Sequence, residues 1–159
     1  MQALFFAPES GIVGAMETLK ESECRSCCPV ANSLDVLGDR WTLLVIRDLM
    51  FTNKHEYSEF LCCPEAIATN ILSDRLKRLM ANDVIACKPH PKHKTKKLYY
   101  LTPKGKDLLP ILVELIVWGA AHRATPGMPK ARFEKVRRDP KKFMRDTLKQ
   151  LADWEKINL

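Results

Sequence analysis

Only two stretches of this chain read as β-strand, Val84–Lys88 and Leu98–Leu101, both rich in Val, Ile and Tyr. The residues between them, 90–97, read His-Pro-Lys-His-Lys-Thr-Lys-Lys and are too polar and too basic for a core. A single hairpin with a long charged tip therefore interrupts a chain otherwise patterned for helices. The expected fold class is mainly α with a small β-hairpin.

Helical signals flank the hairpin on both sides. Pro29 to Leu37 starts on proline, carries Val30, Leu34 and Leu37, and stops at Gly38. Arg40 to Phe51 is apolar around nearly its whole circumference, which marks a central buried helix. A short helix is expected around Tyr57 to Cys63, ended by Pro64. The next begins near Ala66 to Ala68 and runs to Met80 or Ala81. Ala68, Leu72, Leu76 and Leu79 share one face of it, and Asn70, Ser73, Asp74 and Lys77 the other, with Thr69 at the edge. Thr102-Pro103 opens a helix reaching Arg123, with Thr102 as N-cap and a kink expected at Pro110. The stretch from Thr125 to Pro129 has linker composition, and Asp139-Pro140 starts an amphipathic helix with Phe143, Met144, Leu148, Leu151 and Trp154 on one side. That stripe is expected to fold on the chain's own core or on a partner subunit. Three segments follow: an N-terminal extension, 1–23, partly disordered; a central domain, 24–123; and a C-terminal helical extension, 124–159.

Charge narrows the function. Between Ile67 and Asp107 ten Lys/Arg face three acids, a net +7, while the other 118 residues hold 16 basic and 16 acidic side chains. A local positive surface attracts polyanions. No apolar stretch is long enough to span a membrane, since Leu108 to Ala121 is broken by Pro110 and Glu114. The first seven residues lack the basic start of a signal peptide, and Met16 is a candidate start. No membrane partner is expected. The six cysteines cluster as Cys24, Cys27, Cys28, then Cys62, Cys63, then Cys87, without the spread of a disulfide framework. Reduced thiols in the cytoplasm are the expectation.

The order helix, helix, helix, basic hairpin, helix is that of a winged helix-turn-helix. In that arrangement the 67–81 helix enters a major groove and the hairpin rests on flanking backbone. The polar outer face supplies Asn70 for adenine and Lys77 for guanine, while Thr69 and Ser73 suit bases or phosphates. Lys92, Lys94, Lys96 and Lys97 of the wing neutralise phosphates. Arg75 sits on the flank of the buried face and is expected to pair with an acid. Trp41 and Trp118 are expected in the core or at a dimer interface.

Cys28 lies at a helix N-terminus, where unpaired N–H groups favour a thiolate. Cys24-x-x-Cys27-Cys28 lacks the second paired motif of structural zinc, so no metal is expected, and Cys62, Cys63 and Cys87 read as small buried residues. The four histidines are scattered. No catalytic constellation or phosphate-binding glycine loop is present, and neither enzyme activity nor a cofactor is expected.

Cys28-Pro29-Val30, Leu37 to Leu44 (Leu-Gly-Asp-Arg-Trp-Thr-Leu-Leu), Leu72 to Leu79 (Leu-Ser-Asp-Arg-Leu-Lys-Arg-Leu), Tyr100 to Gly105 and Trp118-Gly119 together resemble the HxlR-type transcriptional regulators across Cys24 to Arg123. The resemblance implies a prokaryotic homodimer that binds double-stranded DNA, often as a repressor. It also implies that Cys28 occupies the position at which some members sense oxidants or electrophiles; Cys24 and Cys27 are candidate resolving partners, and a bridge from the partner subunit is an equal alternative. Dimer contacts are expected from Val30, Leu34, Leu112, Leu115 and Trp118, and the operator is expected to be palindromic. A response to a small apolar ligand, with structural cysteines, is an alternative, as is a protein-interaction adaptor. This chain departs from the family in having Asn82-Asp83 where a glycine usually precedes the wing, and His55-Glu56 before Tyr57 where a basic residue is usual.

Overall fold

The computed structural model describes residues 26–123 and 130–159, and the chain divides into a unit ending at Asp35 and a second from Val36 to Leu159. The N-terminal unit holds most of α1, Pro29–Leu37. Proline at the first helical position forfeits only an N–H that would be orphaned anyway, and the Ser33 hydroxyl donates to the Pro29 carbonyl at 2.8 Å. Cys27, Cys28, Val30 and Leu34 are all exposed here. Cys24 and the whole 1–23 extension lie outside the described residues.

In the second unit α2 runs Thr42–Phe51. It starts two residues later than its apolar pattern suggests, after a turn at Arg40-Trp41 that Asp39 holds. The Asp39 carboxylate accepts the N–H groups of Trp41 and Thr42, at 2.8 and 3.0 Å, and the Thr42 hydroxyl. Burial pushes that carboxyl up, but these hydrogen bonds and nearby Arg75 outweigh it and hold it below the usual range. Val45, Ile46, Leu49 and Met50 are buried, so α2 is the central helix.

The short helix α3, Tyr57–Leu61, begins at a reciprocal capping box between Glu56 and Glu59. Next comes α4, Thr69–Ala81, which turns Leu72, Leu76 and Leu79 inward. Each contributes on the order of 2 kcal/mol of apolar transfer. Ala68, expected on that inward face, is instead the exposed N-cap residue, while Ile67 before it is buried. Asp83 leaves α4 with φ of +55° and takes the turn where the family favours glycine.

Strands β1, Ile85–His90, and β2, His93–Leu101, pair antiparallel. The long polar tip expected for this hairpin is absent. Pairing persists to a two-residue turn, Pro91-Lys92, because backbone hydrogen bonding does not require apolar side chains. Opposite the single step from Pro89 to His90, residues 94–96 of β2 bulge.

Thr102 then caps α5, Pro103–Lys106: its hydroxyl accepts the Gly105 N–H at 3.1 Å and donates to the Asp83 carbonyl at 2.6 Å. The continuous helix expected from here is two. After a turn at Asp107-Leu108 the chain starts α6, Leu109–His122, with Pro110 in its first turn. There the missing N–H has no partner to lose, so proline begins a helix instead of kinking one. Leu112, expected at a dimer contact, is buried in this chain's own core, because it lies on the same face as Leu109 and Val113.

A helix that the sequence reading overlooked, α7, spans Lys130–Arg138, and α8 spans Pro140–Asn158 with Asp139 capping the Lys142 N–H at 2.8 Å. Val136 is fully buried, and Thr147 and Leu151 nearly so. Phe143 meets Phe51 with ring centroids 5.7 Å apart, and Phe143, Met144 and Leu151 of the α8 stripe pack on this chain's own core, whereas Leu148, expected on the same stripe, is exposed. Residues 124–129, including the whole expected linker, lie outside the described residues.

Candidate nucleic-acid interface

Tyr57 fixes the angle between α3 and α4. Its hydroxyl donates to the Thr69 carbonyl at 2.8 Å and lies 2.9 Å from the Ser73 hydroxyl. Ser73 is thereby partly engaged inside the motif, while Thr69, Asn70 and Lys77 are exposed. No side chain caps α4, so its first-turn N–H groups are open to an anionic partner. Arg75 is 3.1 Å from Asp39 and 3.4 Å from Asp74, a structural pair in place of a base reader.

Beneath this motif an ion network joins α2 to the α3–α4 turn. Arg47 holds Asp48 at 2.7 Å and also pairs with Glu65, while Lys54 reaches Asp48 at 2.8 Å. The hydrogen bond from Arg47 lowers the Glu65 carboxyl to about 2. This pairing is what allows Asp48 to stay buried in an apolar core.

The wing carries its charge along β2. Lys92 sits in the turn and Lys97 in the strand, both exposed. Lys96 is committed: its ammonium lies 2.6 Å from Glu56, the residue that caps α3. Lys96 in turn holds the Glu56 carboxyl below its ordinary value. Lys94 lies in the bulged stretch of β2, and its side chain is outside the described residues. Lys104, which sequence reasoning left unassigned, donates to the Asn82 carbonyl at 2.8 Å and ties α5 to the end of α4.

His55 was also missed. It is buried at the turn before α3, where Nδ1–H donates to the Tyr99 carbonyl at 2.9 Å and the ring stacks on Trp154. The Tyr99 N–H donates back to the His55 carbonyl at 2.8 Å, so this turn extends the wing's hydrogen-bond ladder toward α3. Only the Glu56-x-x-Glu59 spacing, a capping signature, was readable in advance.

The thiols are spread out. Cys62 is exposed, contrary to the buried role expected of it, because α3 ends there and the side chain faces out; Cys63 and Cys87 are half-buried. Among the described residues no cluster of three His, Cys, Asp or Glu is placed to hold a metal ion, and no helix is long and apolar enough to cross a membrane. Trp41 is half-buried, whereas Trp118 on α6 is 59% exposed beside exposed Ile111 and Leu115.

A helix pair presenting a polar helix beside a lysine-bearing hairpin is a winged helix-turn-helix, and the HxlR-like helix-turn-helix family model matches residues 36–126. The chain belongs to that HxlR-like family. The resemblance read from its motifs is therefore correct, and the protein is a transcription regulator of winged-helix type. Among solved structures, PA1607, a proposed transcription factor, is 35% identical over 66% of this chain and 72% of its own, with a TM-score of 0.58. The redox regulator HypR in its oxidised form is 28% identical over 62% of this chain and all of its own, with a TM-score of 0.56. Reduced YodB from B. subtilis, a transcriptional regulator, is 28% identical over 65% of this chain and all of its own, with a TM-score of 0.51. A comparison with curated proteins gives no match. The HxlR-like match ends at 126, so α7 and α8 stand outside it.

Proposed function

We propose that this HxlR-like regulator is a homodimeric, sequence-specific DNA-binding repressor that reads a palindromic operator. The observation that carries the reading is the presentation of α4: its leucines are buried, Tyr57 locks its first turn, and Thr69, Asn70 and Lys77 face solvent next to the wing. Asn70 suits the paired edge of adenine and Lys77 that of guanine, whereas Lys92, Lys94 and Lys97 are the phosphate contacts of the wing, which Lys96 joins only on leaving Glu56. Exposed Val30 and Leu34 on α1, and Ile111, Leu115 and Trp118 on α6, support self-association. A two-fold dimer would bind half-sites one helical turn apart or a multiple of it.

Selection from random duplexes tests this directly. A recovered palindrome, with Asn70→Ala losing about 1–3 kcal/mol of discrimination at one base position per half-site, is the expected result. Recovery of no sequence, or a winning site without two-fold symmetry, would overturn it.

The regulatory reading is that Cys28, exposed at the start of α1, senses oxidants or electrophiles, with Cys27 or Cys24 as resolving partners. Support comes from position and from two similar proteins, one a redox regulator solved oxidised and the other solved reduced. Mild oxidant should change operator affinity of the native protein and leave a Cys28→Ser variant unaffected. An unaltered response in that variant removes Cys28 from the switch.

A further inference from the structure

The apparent neutrality of the chain outside 67–107 conceals a second basic block. Between 130 and 149 the sequence places nine Lys/Arg against three acids, Glu134, Asp139 and Asp146, and the excess is hidden in the total by an acidic first third. In the structure this block is α7 and the first half of α8. Lys135, Arg137, Arg138, Lys141, Arg145 and Lys149 are exposed, and among the described residues none of the six forms a salt bridge. Lys142 does, with Asp146 at 2.7 Å.

Two features of this charge run against helix stability. Lys141, Arg145 and Lys149 recur every four residues along α8 and so line one face, where like charges repel and Asp146, itself paired with Lys142, offsets only part of the charge of Arg145 and Lys149. Lys141 and Lys142 also occupy the first turn of α8, which holds no acid, although a helix N-terminus disfavours cations. A solvated surface helix would gain from acids at those positions. Side chains that cost the helix stability at several positions point to a partner that offsets the cost, and the chemistry that fits is a polyanion.

The block is held rigidly on the winged-helix body. Buried Val136, Thr147 and Leu151 and the Phe143–Phe51 contact fasten it along its length. At the far end Trp154 stacks on His55, which is bonded to Tyr99 of the wing, and Glu155 pairs with Lys106 at 2.7 Å. At 1.5 Å per residue the stripe runs from roughly 8 Å to roughly 20 Å along the α8 axis from that anchor, a length of a few base pairs.

We propose that the Lys141–Arg145–Lys149 stripe of α8, with Lys135, Arg137 and Arg138 of α7, is a second phosphate-contacting surface that grips duplex DNA outside the half-site read by α4. It rests on the DNA-binding reading above and extends the footprint beyond the family's own domain. The contacts carry no base readout, so they add affinity and salt dependence without changing the preferred sequence.

The test compares the full-length protein with a variant carrying Lys135→Gln, Lys141→Gln, Arg145→Gln and Lys149→Gln. Duplex affinity is measured against salt on the selected palindrome, once trimmed to its ends and once with ten or more flanking base pairs on each side. On the flanked duplex the variant should show a log–log salt slope shallower by about 2–4 per bound chain, at roughly 0.9 per lost phosphate contact. On the trimmed duplex the two proteins should bind alike, which also shows that the variant is folded. Equal slopes on the flanked duplex overturn the proposal. So does a variant that loses binding to anionic phospholipid vesicles while keeping its duplex slope, since the surface then serves a membrane. Failure of the native protein to bind any duplex overturns the proposed function itself, whereas native palindrome binding with an unaltered variant slope overturns only this extension.

Discussion

The imidazole of His55 lies flat on the indole of Trp154, with ring centroids 3.5 Å apart and planes 10° from parallel. One ring belongs to the turn that feeds the helix-turn-helix, the other to a C-terminal helix outside the family's own match. Through the Tyr99 carbonyl, His55 also reaches the wing. The α3–α4 pair, the hairpin and α8 thus meet at one imidazole.

Removing the indole should loosen that junction. Trp154 is half-buried, so Trp154→Ala is expected to cost about 2 kcal/mol, part of it the aromatic contact itself. Trp154→Phe should recover most of that loss, and thermal melting of the two variants checks it. Equal melting of wild type and Trp154→Ala would show that the stack contributes nothing.

The same histidine should make stability depend on pH. Burial pushes its pKa below the ordinary 6.5, outweighing the opposite pull of the Tyr99 carbonyl, Glu59 and Glu155. The folded chain therefore holds the neutral ring more tightly than the unfolded chain does. Its contribution is complete above about pH 6.5 and is lost as pH falls below that value toward the lowered pKa. Melting temperatures should drop between pH 7 and pH 5 in the native protein and drop less in His55→Gln. Parallel losses in both would assign the acid sensitivity to other groups.

Features set within a few residues were legible in the sequence; features set by distant partners were not. Pro29, Thr102-Pro103 and Asp139-Pro140 mark helix starts through local backbone chemistry, and all three mark them in the structure. The leucine spacing of α4 identified its buried and exposed faces, because one helix against one core decides them. The wing's short turn was hidden, since pairing of polar residues leaves no hydrophobic pattern. Pro110 was misread because a kink and a fresh start look alike until the Asp107-Leu108 turn is seen. Lys96 looked as free as its neighbours, although Glu56, forty residues earlier, holds it. His55 looked like one more surface residue beside Lys54, and only Trp154, ninety-nine positions later, makes it a core group.

Gly105 is the tightest point of the wing's attachment. A Cβ there would collide with the Val84 carbonyl oxygen, which also accepts the Thr102 N–H at 3.1 Å. The obstacle is backbone at the root of β1 and cannot swing aside. Gly105→Ala should therefore cost about 2–3 kcal/mol by denaturant unfolding, with a change below about 0.5 kcal/mol refuting the clash.

Ala66, in the turn between α3 and α4, has φ of +55° and no polar side chain to ease that conformation. Left-handed backbone costs a β-carbon-bearing residue about 1–2 kcal/mol, of which glycine returns part as added freedom in the unfolded chain. Ala66→Gly should stabilise by about 0.5–1 kcal/mol, and Ala66→Val should destabilise. Chemical denaturation of the pair reads both signs, and a destabilised glycine variant would contradict the strain.

Glu56 both caps α3 and neutralises Lys96, so one carboxylate couples the helix-turn-helix to the wing. Glu56→Gln separates the two roles. The amide oxygen can still accept the α3 backbone N–H, so the helix should keep its cap, whereas the ion pair to Lys96 is gone. The released ammonium becomes available to a phosphate. Duplex affinity should then rise several-fold at low salt, and the log–log salt slope should steepen by up to about 0.9 per chain. Lys96→Gln in the same background should cancel both changes. If Glu56→Gln instead weakens binding while its melting temperature is unchanged, the pair is a positioning device that sets where the wing meets the backbone, and Lys96 serves the duplex better held than free.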